Sequence, residues 1–160
     1  MARSDSLTLS TSAFRTGQPI PAEHSCQGAD RSPALTWSGE VNGVKSWALI
    51  VDDPDAPGGT FVHWLIYDLP PAARSLPASV PAGDTVAGGG RQGRNGFGTV
   101  GYRGPCPPRG HGPHRYVFTL SALDVASLGL PAGASRAQLD AAMRGHALAT
   151  ATYTGTFERK

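Results

Sequence analysis

A mostly-β single domain with one short helix near its C-terminus is what this sequence predicts, and three observations carry the prediction. Residues 150–157 alternate strictly, with threonines at 150, 152, 154 and 156 facing one way and Ala151, Tyr153, Gly155 and Phe157 the other; that is the pattern of a strand with one wet face. The apolar runs, such as residues 47–51 (WALIV) and 61–67, are too short for independent helices and suit strands buried on both faces. Turn formers are abundant, with 21 Gly and 14 Pro in 160 residues, which favours many turns between short elements.

Composition bounds the function. Hydrophobic residues make up 39% of the chain and charged residues 16%, so this is a folding sequence rather than a disordered one. One domain over residues 1–160 buries roughly 70% of the surface of its unfolded chain and needs no metal or disulfide to do so. A net charge of +2 is too small to argue for nucleic acid. Twelve of the 14 basic residues are Arg, whose planar fork favours contacts with anions. No apolar run approaches the length of a membrane span. The first residues, MARSDSLTLS, lack the hydrophobic core of a signal peptide, so a cytoplasmic location is expected. In a reducing compartment, Cys26 and Cys106 are expected as free thiols rather than a pair.

Taken in order, residues 7–11 (LTLST) read as a first strand, and residues 17–34 as a long loop rich in Gly, Pro, Asp and Ser. Leu35-Thr36-Trp37 resumes a short strand, and residues 47–51 follow as a buried one. Phe61 to Tyr67 is apolar on both faces and reads as a central strand, its odd positions Phe61, His63, Leu65 and Tyr67 sharing one face. Pro70 and Pro71 end it. Residues 72–113 read mostly as loop. The glycines between 88 and 98 are read as ordinary loop flexibility, because no G-K-[ST] ending and no helix follow as a nucleotide loop requires. Residues 115–121 form another strand with Tyr116, Phe118 and Leu120 on one face. Ser135 and Gln138 make a capping box; Leu139 and Met143 lie one turn apart on the helix that follows, and Gly145 ends it.

Two stretches hold the chemistry. The first runs D-D-P-D-A-P from Asp52 to Pro57, with His63 on the strand that follows. Read blandly it is a rigid turn whose carboxylates bond local N–H groups. A buried imidazole nonetheless needs partners for both nitrogens, and a turn carboxylate is a natural one. The second stretch, Gly104 to Tyr116, carries His111 and His114. Gly112 and Pro113 forbid the helix that would make H-x-x-H a metal site, so His114 leads the next strand and His111 stays out on the loop. Alternation points His114 and Tyr116 to one face. Three uses remain open for these residues: a binding pocket, a metal site built on Asp53, Asp55, His63 and His114, or a hydrolase running an Asp–His pair with Cys106 as its candidate nucleophile.

The turn D-P-D-A-P, the histidine after it and the run G-P-x-P-P-x-G-x-G-x-H-R-Y together resemble the phosphatidylethanolamine-binding protein (PEBP) family. The C-x-G-x-x-x-S-P-x-L-x-W stretch at Cys26–Trp37 and R-N-x-F-G at Arg94–Gly98 are similar to its bacterial and archaeal, Raf-kinase-inhibitor-like branch. The resemblance implies a central antiparallel sheet packed on a second, smaller sheet. It also implies a pocket for a small anionic or phosphorylated ligand, such as phosphate or a phosphoethanolamine-like head group, with no cofactor and no metal. Carried over by position, the ligand-binding residues are Asp53, Asp55, His63, His114 and Tyr116, with backbone at Gly104, Pro105 and Cys106 lining the pocket; Arg115 is expected to be structural. Asp53 and Asp55 are expected to orient the ligand and His63 to donate to it, and affinity is expected to peak at mildly acidic to neutral pH. Modulation of a protein kinase or protease and a homodimeric state are further implications of the resemblance.

Overall fold

The computed structural model describes residues 7–160, so the opening residues 1–6, read above for a leader signal, lie outside the described residues. Strand β3 (Ser46–Asp53) is buried at every position except Asp52, as its continuous apolar sequence requires. It pairs antiparallel with β4 (Phe61–Leu69) on one side and β7 (His114–Leu123) on the other. The two-residue β6 (Arg91–Gln92) flanks β4, and β8 (Ala147–Phe157) flanks β7, giving a five-stranded sheet in the order β6-β4-β3-β7-β8. A second sheet holds β1 (Thr8–Ser10), β2 (Leu35–Ser38) and β5 (Ser75–Leu76) in the order β1-β2-β5.

The two faces of β3 fill two cores. Trp47, Leu49 and Val51 join Trp64, Ile66, Phe118 and Leu120 in a large cluster shared with Leu9, Trp37 and Leu76 of the smaller sheet. Ala48 and Ile50 join Leu65, Tyr67 and Leu139 in a smaller one. Leu139 comes from helix α1 (Arg136–Met143), so the helix covers the face that the second sheet leaves open. The capping box forms as the sequence predicts: the Gln138 N–H donates to Ser135 Oγ at 3.1 Å, and the Ser135 N–H to Gln138 Oε1 at 2.9 Å. A mostly-β fold with a central antiparallel sheet on a smaller one and a short C-terminal helix is therefore what the chain adopts.

Three local expectations change. The span 72–113 holds the two short strands β5 and β6, which pair only because β2 and β4 lie beside them. Next, the glycine cluster is packed in its middle, at Gly89, Gly90, Gly93 and Gly96, and open at Gly88 and Gly98. A Cβ at Gly93 would lie 2.8 Å from the Ala134 carbonyl oxygen, and one at Gly96 would lie 2.6 Å from the Phe61 ring. Between them the buried Asn95 closes the turn, its Nδ2 donating to Gly101 O at 2.9 Å and its Oδ1 accepting from the Phe97 N–H at 3.0 Å.

Finally, Cys26 and Cys106 are bonded in a disulfide, with Cα atoms 5.4 Å apart, and are not free thiols. The contacts around them explain the pairing. Tyr102 donates its hydroxyl to His24 O at 2.6 Å, Gly104 N–H donates to Asp30 Oδ1 at 2.9 Å, and Cys26 N–H donates to Pro105 O at 3.1 Å. Those bonds lay the 22–30 loop along 102–106, an approach between segments 80 residues apart that spacing does not reveal.

Candidate functional site

Strands β3, β4 and β7 deliver four buried polar side chains to one end of the larger sheet. Asp53 is the last residue of β3, His63 lies in β4, and His114 and Tyr116 open β7. Alternation puts Asp53 on the face of Val51, and His114 and Tyr116 on the face of Phe118, which is the face of the large core.

His63 arrives there by a different route. Val51 pairs with Trp64 and Asp52 with Val62, so His63 is an extra residue in the β4 ladder, a β-bulge. Without the bulge, His63 would share the face of Leu65 and Tyr67, as simple alternation predicts. With it, Val62 packs on the smaller core and His63 meets the Tyr116 ring edge-on at 5.2 Å. One inserted residue has moved the imidazole to the other side of the sheet.

The pocket has a volume of ≈ 200 Å³. Asp53, His63, His114 and Tyr116 supply its polar groups, and Ala56, Pro57, Phe61, Phe97, Cys106, Pro107 and Pro108 its largely apolar wall. Phe97 is 40% exposed at the rim, stands edge-on to Phe61 at 4.9 Å and carries the Arg103 guanidinium 4.6 Å above its ring. No lysine or arginine is among the lining residues, so the polar groups the pocket presents are hydrogen-bonding ones.

The hydrogen bonds define what each group can offer. Asp53 Oδ1 accepts from the Asp55 N–H at 2.7 Å, and its Oδ2 lies 2.7 Å from His114 Nδ1. A carboxylate only accepts, so His114 carries its proton on Nδ1. His114 Nε2 in turn lies 2.6 Å from His111 Nδ1. His63 Nδ1 lies 2.7 Å from the Arg103 carbonyl oxygen and must donate to it. Burial holds the His63 imidazole below its ordinary pKa, against the opposing pull of the Arg103 carbonyl and the Asp53 charge. A neutral ring protonated on Nδ1 leaves Nε2 as an acceptor toward the pocket, the opposite of the donor role expected from the sequence.

The Tyr116 hydroxyl is buried and makes no hydrogen bond of ordinary length among the described residues, although the Asp53 carboxylate lies close enough to draw its proton. Burial, and next the Asp53 charge, push its phenol far above the ordinary range, so it stays a neutral O–H. An orphaned buried hydroxyl facing a pocket is a group arranged for a ligand or a water.

Several expected pocket residues lie elsewhere. Asp55 does not line the pocket; it accepts from the Arg115 N–H, Nε and NH2 at 2.8–2.9 Å, because Arg115 alternates away from His114 and Tyr116. Arg115 is structural, as expected. Gly104 and Pro105 are buried behind the wall: a Cβ at Gly104 would lie 2.0 Å from the His24 carbonyl oxygen, so glycine is needed there for close packing. Cys106 does line the pocket, but as half of a disulfide, and so cannot supply a thiolate nucleophile. Asp52 points away and accepts from Arg136 NH1 at 2.6 Å, tying β3 to α1. No group of three or more His, Cys, Asp or Glu arranged for a metal ion occurs among the described residues.

Sequence reasoning missed the aromatic wall. The R-N-x-F-G piece was visible, but only the Asn95 turn shows that it exists to present Phe97.

Fold and pocket together define a class: a two-sheet β protein with a small apolar-walled pocket whose floor holds an Asp–His pair, a neutral histidine and a tyrosine. The chain belongs to the phosphatidylethanolamine-binding protein family, whose sequence profile matches residues 10–158. It is 50% identical to a UPF0098 protein of Aquifex aeolicus across 92% of this chain and 85% of that one. Among solved structures it is similar to Escherichia coli YbcL, a member of the mammalian PEBP family, at 34% identity and a TM-score of 0.89, covering 97% of this chain and 99% of that one. A PEBP homologue from Chlamydia trachomatis is 39% identical with a TM-score of 0.87, at the same coverage of both chains. No helix among the described residues is long and apolar enough to cross a membrane.

Proposed function

We propose that the pocket binds a small oxyanion that still carries a proton, such as dihydrogen phosphate or the monoanion of a phosphate monoester head group. The observation that carries this reading is the unpartnered buried hydroxyl of Tyr116 beside the acceptor Nε2 of His63. A bare dianion has no hydrogen to give His63 and would be repelled by Asp53, since like charges disfavour each other at short range. A protonated oxyanion donates its O–H to His63 and accepts the Tyr116 hydroxyl through another oxygen. The phenyl rings and prolines of the wall accommodate an organic substituent on the ligand.

Calorimetric titration with phosphate and with sulfate tests the reading, because sulfate has the same shape but no proton near neutral pH. Phosphate is expected to bind at least about tenfold more tightly, the discrimination that one unpaired buried polar group produces. The affinity of a phosphate monoester, whose only ionisable O–H is lost at about pH 6, is expected to fall as pH rises from 5 to 9. Equal binding of sulfate, or a flat pH profile, contradicts it.

A further inference from the structure

Both nitrogens of His114 are in use within the protein. Nδ1 faces Asp53 at 2.7 Å and Nε2 faces His111 Nδ1 at 2.6 Å, with the two imidazoles edge-on at 4.8 Å between centroids. Because the proton on His114 lies toward Asp53, the Nε2 atom is an acceptor and the His111 Nδ1–H is the donor that fills it. Dihydrogen phosphate, which has a second O–H besides the one given to His63, would offer the same donor to the same atom.

His111 is built differently from the residues around it. Asp53, His63, His114 and Tyr116 are buried on strands, whereas His111 is exposed on the loop before β7. It stands between Gly110 at φ 74° and Gly112 at φ 86°. A Cβ at either glycine would meet nothing within 4 Å. These glycines therefore serve the left-handed backbone rather than close packing, and the loop has room to move at both ends. The backbone bonds from His111 N–H to Pro108 O at 3.2 Å and from Gly110 N–H to Arg159 O at 2.9 Å hold its base.

We propose that His111 is a specificity-determining residue: it is an internal competitor that occupies His114 Nε2 until a ligand O–H displaces it. The proposal rests on the oxyanion reading of the pocket and adds to it. A ligand without a second O–H for His114 fails to displace His111, so His111 sharpens selection for oxyanions that carry two O–H groups at the cost of affinity.

The test compares inorganic phosphate binding to the full chain and to two variants, His111→Ala and His111→Asn. Alanine removes the competitor, so phosphate should bind about three- to tenfold more tightly, the fold-change of one hydrogen bond. Asparagine places an amide N–H close to where His111 Nδ1 stands and should keep affinity near that of the unaltered protein; a merely structural role for the loop would not separate the two. In the unaltered protein, phosphate should also shift the His111 ring nitrogen resonances from a hydrogen-bonded to a free position. Weaker or unchanged binding by His111→Ala, or His111 resonances that stay put on saturation, overturns the proposal while leaving the oxyanion reading intact. If neither the unaltered protein nor His111→Ala binds phosphate, the oxyanion reading falls and this inference with it.

Discussion

Asp53 Oδ2 and His114 Nδ1 meet at 2.7 Å with side chains only 4% and 2% exposed. Asp53 has a second obligation, since its Oδ1 accepts the Asp55 N–H. Both carboxylate oxygens must therefore be acceptors. Asp53→Asn has the same shape but one acceptor too few, so either the Asp55 N–H or the His114 N–H loses its partner. The variant should be destabilised by about 1–3 kcal/mol, the cost of one buried unsatisfied group. Phosphate affinity should fall more than about tenfold as His114 changes tautomer, by the weight of a buried polar mismatch. Denaturant unfolding and calorimetry read the two effects separately.

Tyr116→Phe should behave in the opposite way. The hydroxyl makes no hydrogen bond of ordinary length and only neighbours the Asp53 carboxylate, whose two oxygens already have donors, so stability should stay the same or rise slightly. Phosphate affinity should nevertheless drop by about five- to tenfold, the value of one hydrogen bond. A variant that unfolds more easily would mean that the hydroxyl supports the fold rather than the ligand.

Acid should destabilise the protein in two stages. His63 has its pKa lowered from an ordinary 6.5 by burial, so the unfolded chain takes up that proton more readily. Its contribution to stability is complete above pH 6.5 and is lost as pH falls below that value toward the lowered one. Asp55 is held at about 2 by its hydrogen bonds to Arg115, below an ordinary 3.8. The stability it lends is present above pH 3.8 and is lost as pH falls toward 2. Arg115 is 60% exposed, so this second stage should be the smaller and should weaken with salt. Thermal unfolding followed from pH 8 to pH 2 checks the order, and His63→Gln should erase the first stage alone.

Reducing the Cys26–Cys106 bond should lower the melting temperature by roughly 5–15 °C, from a loop-closure contribution of about 2–4 kcal/mol in a chain of this size. Because Cys106 lines the pocket, phosphate should also bind more weakly once the bond is opened. Scanning calorimetry with and without reductant, and with Cys26→Ser, measures both; an unchanged melting temperature would rule out the disulfide as a clamp on the pocket wall.

Much of the fold was legible because burial and alternation leave direct traces. The apolar run at 47–51 became the central β3, the threonine rhythm at 150–157 became β8, and the Ser135–Gln138 capping box became the start of α1. The candidate site was legible only in part. His114 and Tyr116 followed from alternation along β7, while Asp53 and Asp55 were both assigned by the family resemblance, and Asp55 binds Arg115 instead. Nothing in the residue types of D-P-D says which carboxylate faces inward.

By itself, the sequence determined the longer strands, where the helix begins and which two stretches hold the polar chemistry. These follow from interactions between residues near one another in the chain. Tertiary structure decided the rest. The bulge that turns His63 toward Tyr116 is one of two register shifts by which the longer β4 pairs with β3 at both ends. The Cys26–Cys106 bond, the Phe97 wall and the contact between His111 and His114 depend on how distant or loop-borne groups pack. Period and spacing carry no record of such contacts, since they are set by the shape of the assembled core.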